Sequence, residues 1–361
     1  MEWRAVLEGG GLWKDRIFDE LVFMTCVAVL GAGAVGARVA RQLLTLESVD
    51  QIVLRDTSAE RLARASRSLG ERCRVEQSPF SKSLEVDALV VATPRGTHVE
   101  AVLETIAARR PAVLVGDGLA ETIAVLRHSG EASSAGVPIA LGSGFGPGLS
   151  CVLAAHAAAW FDEVEEIHVA KAGTGGPACA LVHHRALSRR SFDWRMDEKI
   201  GVGDWVRRAG GSGRELIWFP DPVGPRDCYR AALPDPVLLH HAFPTVRRIT
   251  SRMAATRRDR LTAPMPMLAP PHVEGGLGAV RIEVRGQRGR TSDVVVLGAT
   301  ERPAVAAAAV AATTVEWLLA GRHRVAGMAG LAEMVEPVTF LTDLARRGLE
   351  ASVFEGEFTL F

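Results

Sequence analysis

Three glycines at 31, 33 and 36, spaced G-x-G-x-x-G, carry the chemistry that is easiest to state in this sequence. Gly31 would permit a tight strand-to-helix turn, Gly33 would let the backbone approach a pyrophosphate, and Gly36 would allow close helix–strand packing. A helix starting there, with Ala34 and Val35 in its entry loop, offers free N–H groups and a positive dipole end to an anion. Asp56 follows roughly 20 residues on, where an acid holds a ribose hydroxyl. Its carboxylate would repel a 2′-phosphate, whereas Arg55 beside it could bind one. The pattern therefore reads as a dinucleotide site for NAD, with NADP as the alternative.

Such a motif means little without the elements around it. Residues 26–30 (C-V-A-V-L) form a short apolar run suited to a buried parallel strand. Val39, Leu43 and Leu46 then recur at helical spacing, and residues 51–54 suit a second strand. Further on, the pattern predicts helices over 59–69, 97–109 and 121–135 and strands over 86–92, 112–115 and 138–141. Strands alternating with helices imply a parallel sheet, with ligands at the carboxyl ends of its strands. Ala92, Thr93 and Pro94 end one strand and extend the expected cofactor rim. Asp117 and Gly142 end two others.

Several side chains near that rim could act on a substrate. Asp117 could orient it or handle a proton; as a residue between two glycines it is equally a turn or cap. His98, at a helix start, could donate a proton or simply cap the helix. Lys171 leaves an expected strand just before A-G-T-G-G; it could bind a carboxylate or shuttle a proton, or be solvated. The stretch G-S-G-F-G-P-G-L-S at 142–150 ends the last strand of the first half. Its glycines would let backbone approach the reacting centre, with Phe145 as a wall.

After residue 150 the rhythm changes. The sequence predicts a helix over 149–160, a strand over 165–170 and an irregular region over 171–235. A hairpin is expected at 280–297, and helices over 303–319 and 338–347, with Gly321 and Gly348 as stops. Within 214–230 a polar-aromatic loop is expected, where Arg226 or Arg230 could clamp a carboxylate. The arginines of 247–260 read as a solvated helix face or a dimer rim. The pairs His183-His184 and His240-His241 are sequence neighbours that face different ways, and no metal site is expected. The fold expected is α/β: a Rossmann domain over 24–150, then an α+β domain over 151–324 with an open, mostly antiparallel sheet. A C-terminal segment, 325–361, returns to the first domain. Residues 1–23 are set apart as an N-terminal extension whose place in the native protein the sequence leaves open.

Composition narrows the partners. The chain has 361 residues with 42 basic and 42 acidic side chains, so net charge gives no case for nucleic acid or an anionic membrane. Hydrophobic content of 48% and charged content of 23% describe a soluble globular protein. No apolar run of ~20 residues suggests a transmembrane helix, and no signal peptide is evident. Five scattered cysteines point to free thiols in a reducing cytoplasm.

Four stretches together resemble the saccharopine dehydrogenase family, which includes carboxynorspermidine dehydrogenases. They are M-T-C-V-A-V-L-G-A-G-A-V-G from Met24, G-F-G-P-G-L from Gly144, Gly175-Gly176-Pro177, and the ending from Val335 through Leu349. The resemblance implies NAD(P)-linked chemistry at a C–N bond of an amino acid or its imine. It also implies a second domain that binds substrate, with Gly175 and Gly176 bordering it, and that forms a homodimer through its sheet. One position departs: the family's acid in G-x-D-P-G is Gly146 here. Either the substrate differs, or the protein is a catalytically silent dinucleotide-binding sensor or structural partner.

Overall fold

The computed structural model describes residues 24–353, apart from 81–84, 94–95, 198–200, 268, 270 and 274. Pro94, expected on the cofactor rim, lies outside the described residues, as do the extension 1–23 and residues 354–361.

The first six strands, apolar runs bounded by turns in all but β3, are β1 (Cys26–Leu30), β2 (Gln51–Asp56), β3 (Cys73–Gln77), β4 (Ala88–Val91), β5 (Ala112–Leu114) and β6 (Ile139–Leu141). Helices α1 (Gly36–Leu43), α2 (Ala59–Ser66), α3 (His98–Ala108), α4 (Leu119–Leu126) and α5 (Ser129–Ala135) run between them. Two readings need correction here. The helix expected over 121–135 is two helices, and β3 went unrecognised because its residues are mostly polar and half-exposed at the sheet edge.

The second half follows with α6 (Leu149–Ala158), β7 (Glu163–Ala172), α7 (Pro177–Ala186), β8 (Ser191–Met196) and β9 (Gly203–Arg208). Next come β10 (Glu215–Trp218), β11 (Pro225–Arg230), α8 (Asp235–Ala242), β12 (Arg248–Ala254) and α9 (Arg257–Thr262). The hairpin β13 (Gly278–Arg288) and β14 (Thr291–Glu301) precedes α10 (Pro303–Leu319). The chain then adds β15 (Met328–Gly330), α11 (Leu331–Met334), α12 (Pro337–Ala345) and β16 (Ser352–Val353). Residues 171–235 are thus not irregular: they hold a helix and four strands. Arg248 and Arg252 lie on a strand rather than a helix face, because alternate residues Ile249, Ser251 and Met253 are buried.

Two sheets organise the molecule. The first runs β15-β6-β5-β4-β1-β2-β3, all parallel. This is a Rossmann sheet, and its last strand is supplied by the chain's C-terminal part. The second runs β10-β11-β12-β7-β13-β14-β16, with β8 and β9 attached beside β12. Its pairs are antiparallel except β12 with β7. One continuous core joins the halves, running from Val29 on β1 to Ile282 on β13. The alanines of α10 let that helix pack against α1, β4 and β5. Among the described residues, no helix is long and apolar enough to cross a membrane. All five cysteines are free thiols.

Candidate active site

The loop between β1 and α1 has the shape its glycines suggest. Gly31 takes a φ of +99°, and a Cβ there would press on the Ala92 carbonyl oxygen at 2.7 Å. A Cβ on Gly36 would overlap the Gly31 carbonyl. Gly33 differs: a Cβ there would meet nothing within 4 Å. Open space above Gly33, at the positive N-terminal end of α1, is the room a pyrophosphate needs. The residues present therefore fit a dinucleotide.

Asp56 is buried at 1% exposure. Its Oδ2 accepts from the Ala32 N–H at 2.7 Å and its Oδ1 from the Ser58 N–H at 2.8 Å. It therefore braces the loop, and Arg61 stands 3.6 Å from it. Arg55 points the other way along the strand, paired with Glu76 at 2.8 Å. Successive side chains on a strand face opposite sides, so Arg55 and Asp56 do not share a ligand.

At the end of β4, Thr93 bonds to Thr97. His98 is buried with Nε2 3.1 Å from the Thr93 carbonyl oxygen. It packs so tightly under Gly116 that a Cβ there would reach His98 Cε1. The structure thus places His98 beneath the rim, bracing β4 against the β5 loop.

The stretch from Gly142 to Ser150 folds on itself. The Gly144 N–H donates to Gly142 and Pro147 carbonyls, and the Leu149 N–H donates to the Gly144 carbonyl at 2.9 Å. Phe145 is buried in the core. Gly146 faces the second sheet. Its carbonyl accepts from Lys171 Nζ at 2.7 Å, and Lys171 is only 3% exposed. A Cβ on Gly146 would touch Lys171 Cδ and Val280 Cγ1 at 3.4 Å and Ser150 Oγ at 3.8 Å.

Asp117 completes a cluster beside Lys171. Its Oδ2 lies 2.7 Å from His183 Nε2 and 3.0 Å from Cys179 Sγ. Cys179 and His183 are four residues apart on α7 and so share a face. Burial alone would push the Asp117 carboxyl up, but His183 and Lys171 hold it well below the usual carboxylate range. Burial, with the Lys171 charge, lowers the His183 imidazole against the pull of Asp117. His183 is therefore a neutral donor to an ionised Asp117. Burial, and then the Asp117 charge, keep Cys179 a thiol, raised well above its ordinary value. Asp117, Cys179 and His183 are also of metal-ligating types and lie close together. Hydrogen bonds at 2.7 and 3.0 Å account for that closeness.

Gly175 and Gly176 start α7 and press on the dinucleotide loop. A Cβ on Gly176, which has φ +113°, would lie 2.7 Å from Ala34 Cβ, and one on Gly175 would lie 3.4 Å from Val35 Cγ2. These two glycines close the second half onto the cofactor loop. Arg226 is not brought to this cluster. It lies exposed on the β10–β11 edge hairpin, where its Nη1 donates to the Pro225 carbonyl at 2.9 Å. A hairpin replaces the expected loop there because Leu216 and Ile217 pair with Asp227 and Arg226.

Sequence reading missed Cys179, His183 and Asp235. The C-x-x-x-H spacing on a helix was a signal for the first two. Asp235 had none: it is joined to Ser150 Oγ at 2.7 Å across 85 residues.

A Rossmann sheet, a glycine loop with room for a pyrophosphate and polar groups at the strand ends define a dinucleotide-binding oxidoreductase class. Residues 25–132 match the GFO/IDH/MocA oxidoreductase family, NAD-binding Rossmann fold. The cofactor of this domain is NAD. No curated protein matches the sequence. Among solved structures, the chain is similar to apo saccharopine dehydrogenase (L-Glu forming) from Saccharomyces cerevisiae, at 12% identity and TM-score 0.64. That likeness covers 92% of this chain and 100% of the other. An amine dehydrogenase from Mycobacterium smegmatis is similar at 12% identity and TM-score 0.51, over 86% of this chain and 96% of that one. At these identities the likeness is one of fold.

Proposed function

We propose that the protein is an NAD-dependent oxidoreductase acting at the C–N bond of an amino-acid-like substrate. The observation that carries this is that Lys171, bonded to Gly146, lies close enough to the bonded Asp117–His183 pair to act on both electrostatically. The fold shared with an L-Glu-forming dehydrogenase and an amine dehydrogenase supports a substrate bearing nitrogen.

NAD would be held by the Gly31–Gly36 loop and by Asp56, and would supply or accept the hydride. The chain's own groups handle charge and protons. In the oxidative direction the substrate carbon gives up a hydride and its nitrogen a proton. The second ring nitrogen of His183 takes that proton, and the ionised Asp117 bonded to Nε2 offsets the charge that forms. Lys171 has donors left after its one bond to Gly146, and they orient an anionic or carbonyl oxygen of the substrate. Gly175 and Gly176 seal the site against water by pressing on Ala34 and Val35. His98 is a positioning residue. Gly146 signals an altered substrate site rather than a dead one, since the acid–base groups around it are in place.

The charged open face of the second sheet is the surface for a homodimer. Glu166, His168, Arg248, Arg281, Glu283 and Arg285 line a concavity there. Opposite charges are interspersed on it, so the face is suited to a second copy of itself.

The test is turnover with NAD or NADH against paired amino acids, amines and 2-oxo acids. NAD-linked activity on nitrogen substrates, lost in Lys171→Met and Asp117→Asn, is the expected result. NAD binding without turnover in either direction would favour the silent-sensor reading and sink this one.

A further inference from the structure

Asp235 opens α8 and is completely buried. Its Oδ1 accepts from Ser150 Oγ at 2.7 Å, and its Oδ2 has no hydrogen-bond partner. A helix-capping aspartate would give its oxygens to N–H groups of the first turn. Asp235 makes no such cap bond. Buried carboxylate oxygens are nearly always hydrogen-bonded, so one left without a donor points to a missing cationic or N–H partner.

The surroundings say which. Ser150, which holds Asp235, lies 3.8 Å from where a Cβ on Gly146 would stand, and Lys171 Cδ lies 3.4 Å from the same point. The Gly146 backbone thus stands next to both Lys171 and the Ser150–Asp235 pair. Asp117, Lys171, His183 and Asp235 lie close enough there to act on one another electrostatically. Asp117 already receives Cys179 and His183. Asp235 is the carboxylate with an oxygen to offer.

We propose that Asp235 is the specificity-determining acidic residue of this site, its Oδ2 binding the cationic nitrogen of the substrate beside Gly146. The proposal rests on the reading of this cluster as the substrate site. It makes Asp235, from a helix of the second half, the source of negative charge where the loop itself has none.

The experiment is calorimetric binding to the full chain saturated with NAD, using ligand pairs that differ only in nitrogen against hydroxyl. L-norleucine is compared with 2-hydroxyhexanoate, and butylamine with butanol. The nitrogen member of at least one pair is expected to bind about tenfold tighter or more to the wild type, as for a buried charge-assisted hydrogen bond. Asp235→Asn is expected to bring the members of that pair to within about twofold while NAD affinity stays unchanged. No preference in the wild type, or a preference that survives in Asp235→Asn, overturns the proposal. Should Asp235→Asn fail to fold, Ser150→Ala keeps the carboxylate and removes its only partner. It should retain or strengthen the preference, and equal binding of both members overturns the proposal. Binding preference without turnover would fail the proposed reaction alone. Turnover of nitrogen substrates without the preference would fail this inference alone.

Discussion

Lys171 Nζ, on β7 of the second sheet, donates to the carbonyl oxygen of Gly146 beyond β6 of the first, at 2.7 Å. That bond joins the second sheet to the Rossmann sheet near the place where Asp117 and His183 meet. A buried ammonium with one hydrogen bond is costly to keep, and its retention is understandable if it faces a substrate group.

If the proposed site is right, Lys171→Met should lower turnover by at least ~100-fold while leaving NAD affinity within about twofold, because the side chain bonds to Gly146 and not to the dinucleotide loop. Folding should survive, since an apolar side chain of similar length replaces a buried charge. Steady-state rates and cofactor titration check this. A change in NAD affinity with normal turnover would refute it.

Gly33→Ala separates cofactor binding from folding. A Cβ there meets no protein atom, and Gly33 does not have positive φ. Thermal stability should hold or rise by ~0.4–1 kcal/mol. NAD affinity should fall at least about tenfold, or ~1.4 kcal/mol, because the methyl group occupies the pyrophosphate space. Unfolding curves and NAD titration read the two effects independently.

His183 gives stability a pH dependence of known sign. Its pKa is lowered in the folded protein, by burial first and then by Lys171. The unfolded chain therefore binds a proton near pH 6.5 that the folded one resists. Stability should be full above that pH and decline as pH falls through the folded value. Asp117, whose pKa is lowered too, adds a further loss below about pH 4 as its carboxylate protonates. His183→Gln, which keeps a donor for Asp117, should flatten the decline between pH 7 and 5 and leave the acidic one. Melting temperature against pH measures this.

Asp56→Ser tests cofactor choice. It removes the carboxylate that disfavours a 2′-phosphate and releases Arg61, now 3.6 Å away, to meet one. The NAD-to-NADP affinity ratio should fall at least about tenfold. Loss of the bonds to Ala32 and Ser58 should cost ~1–3 kcal/mol of stability. An unchanged ratio would show that Asp56 only braces the loop.

The Rossmann elements were legible because their signals are local. A buried parallel strand reads as a continuous apolar run, and the glycines mark the turn that follows it. α10 and the β13–β14 hairpin were legible for similar reasons: proline at the start of the helix, and glycines between the strands. The region 171–235 was not, because β8 to β11 are short, half-exposed and interrupted by charge. Arg226 drew notice as a cation in a long loop, but cross-strand pairing, which no local pattern announces, put it on an outer hairpin.

The sequence by itself determined where a dinucleotide binds, since the loop is built from neighbours along the chain. It also singled out Asp117, Lys171 and Gly146. Only the tertiary structure decided what they do together. His183 reaches Asp117 across 66 positions and Lys171 reaches Gly146 across 25. Ser150 and Asp235 meet across 85. Those contacts depend on how two sheets pack around a shared core, and packing is set by the whole chain rather than by any stretch of it.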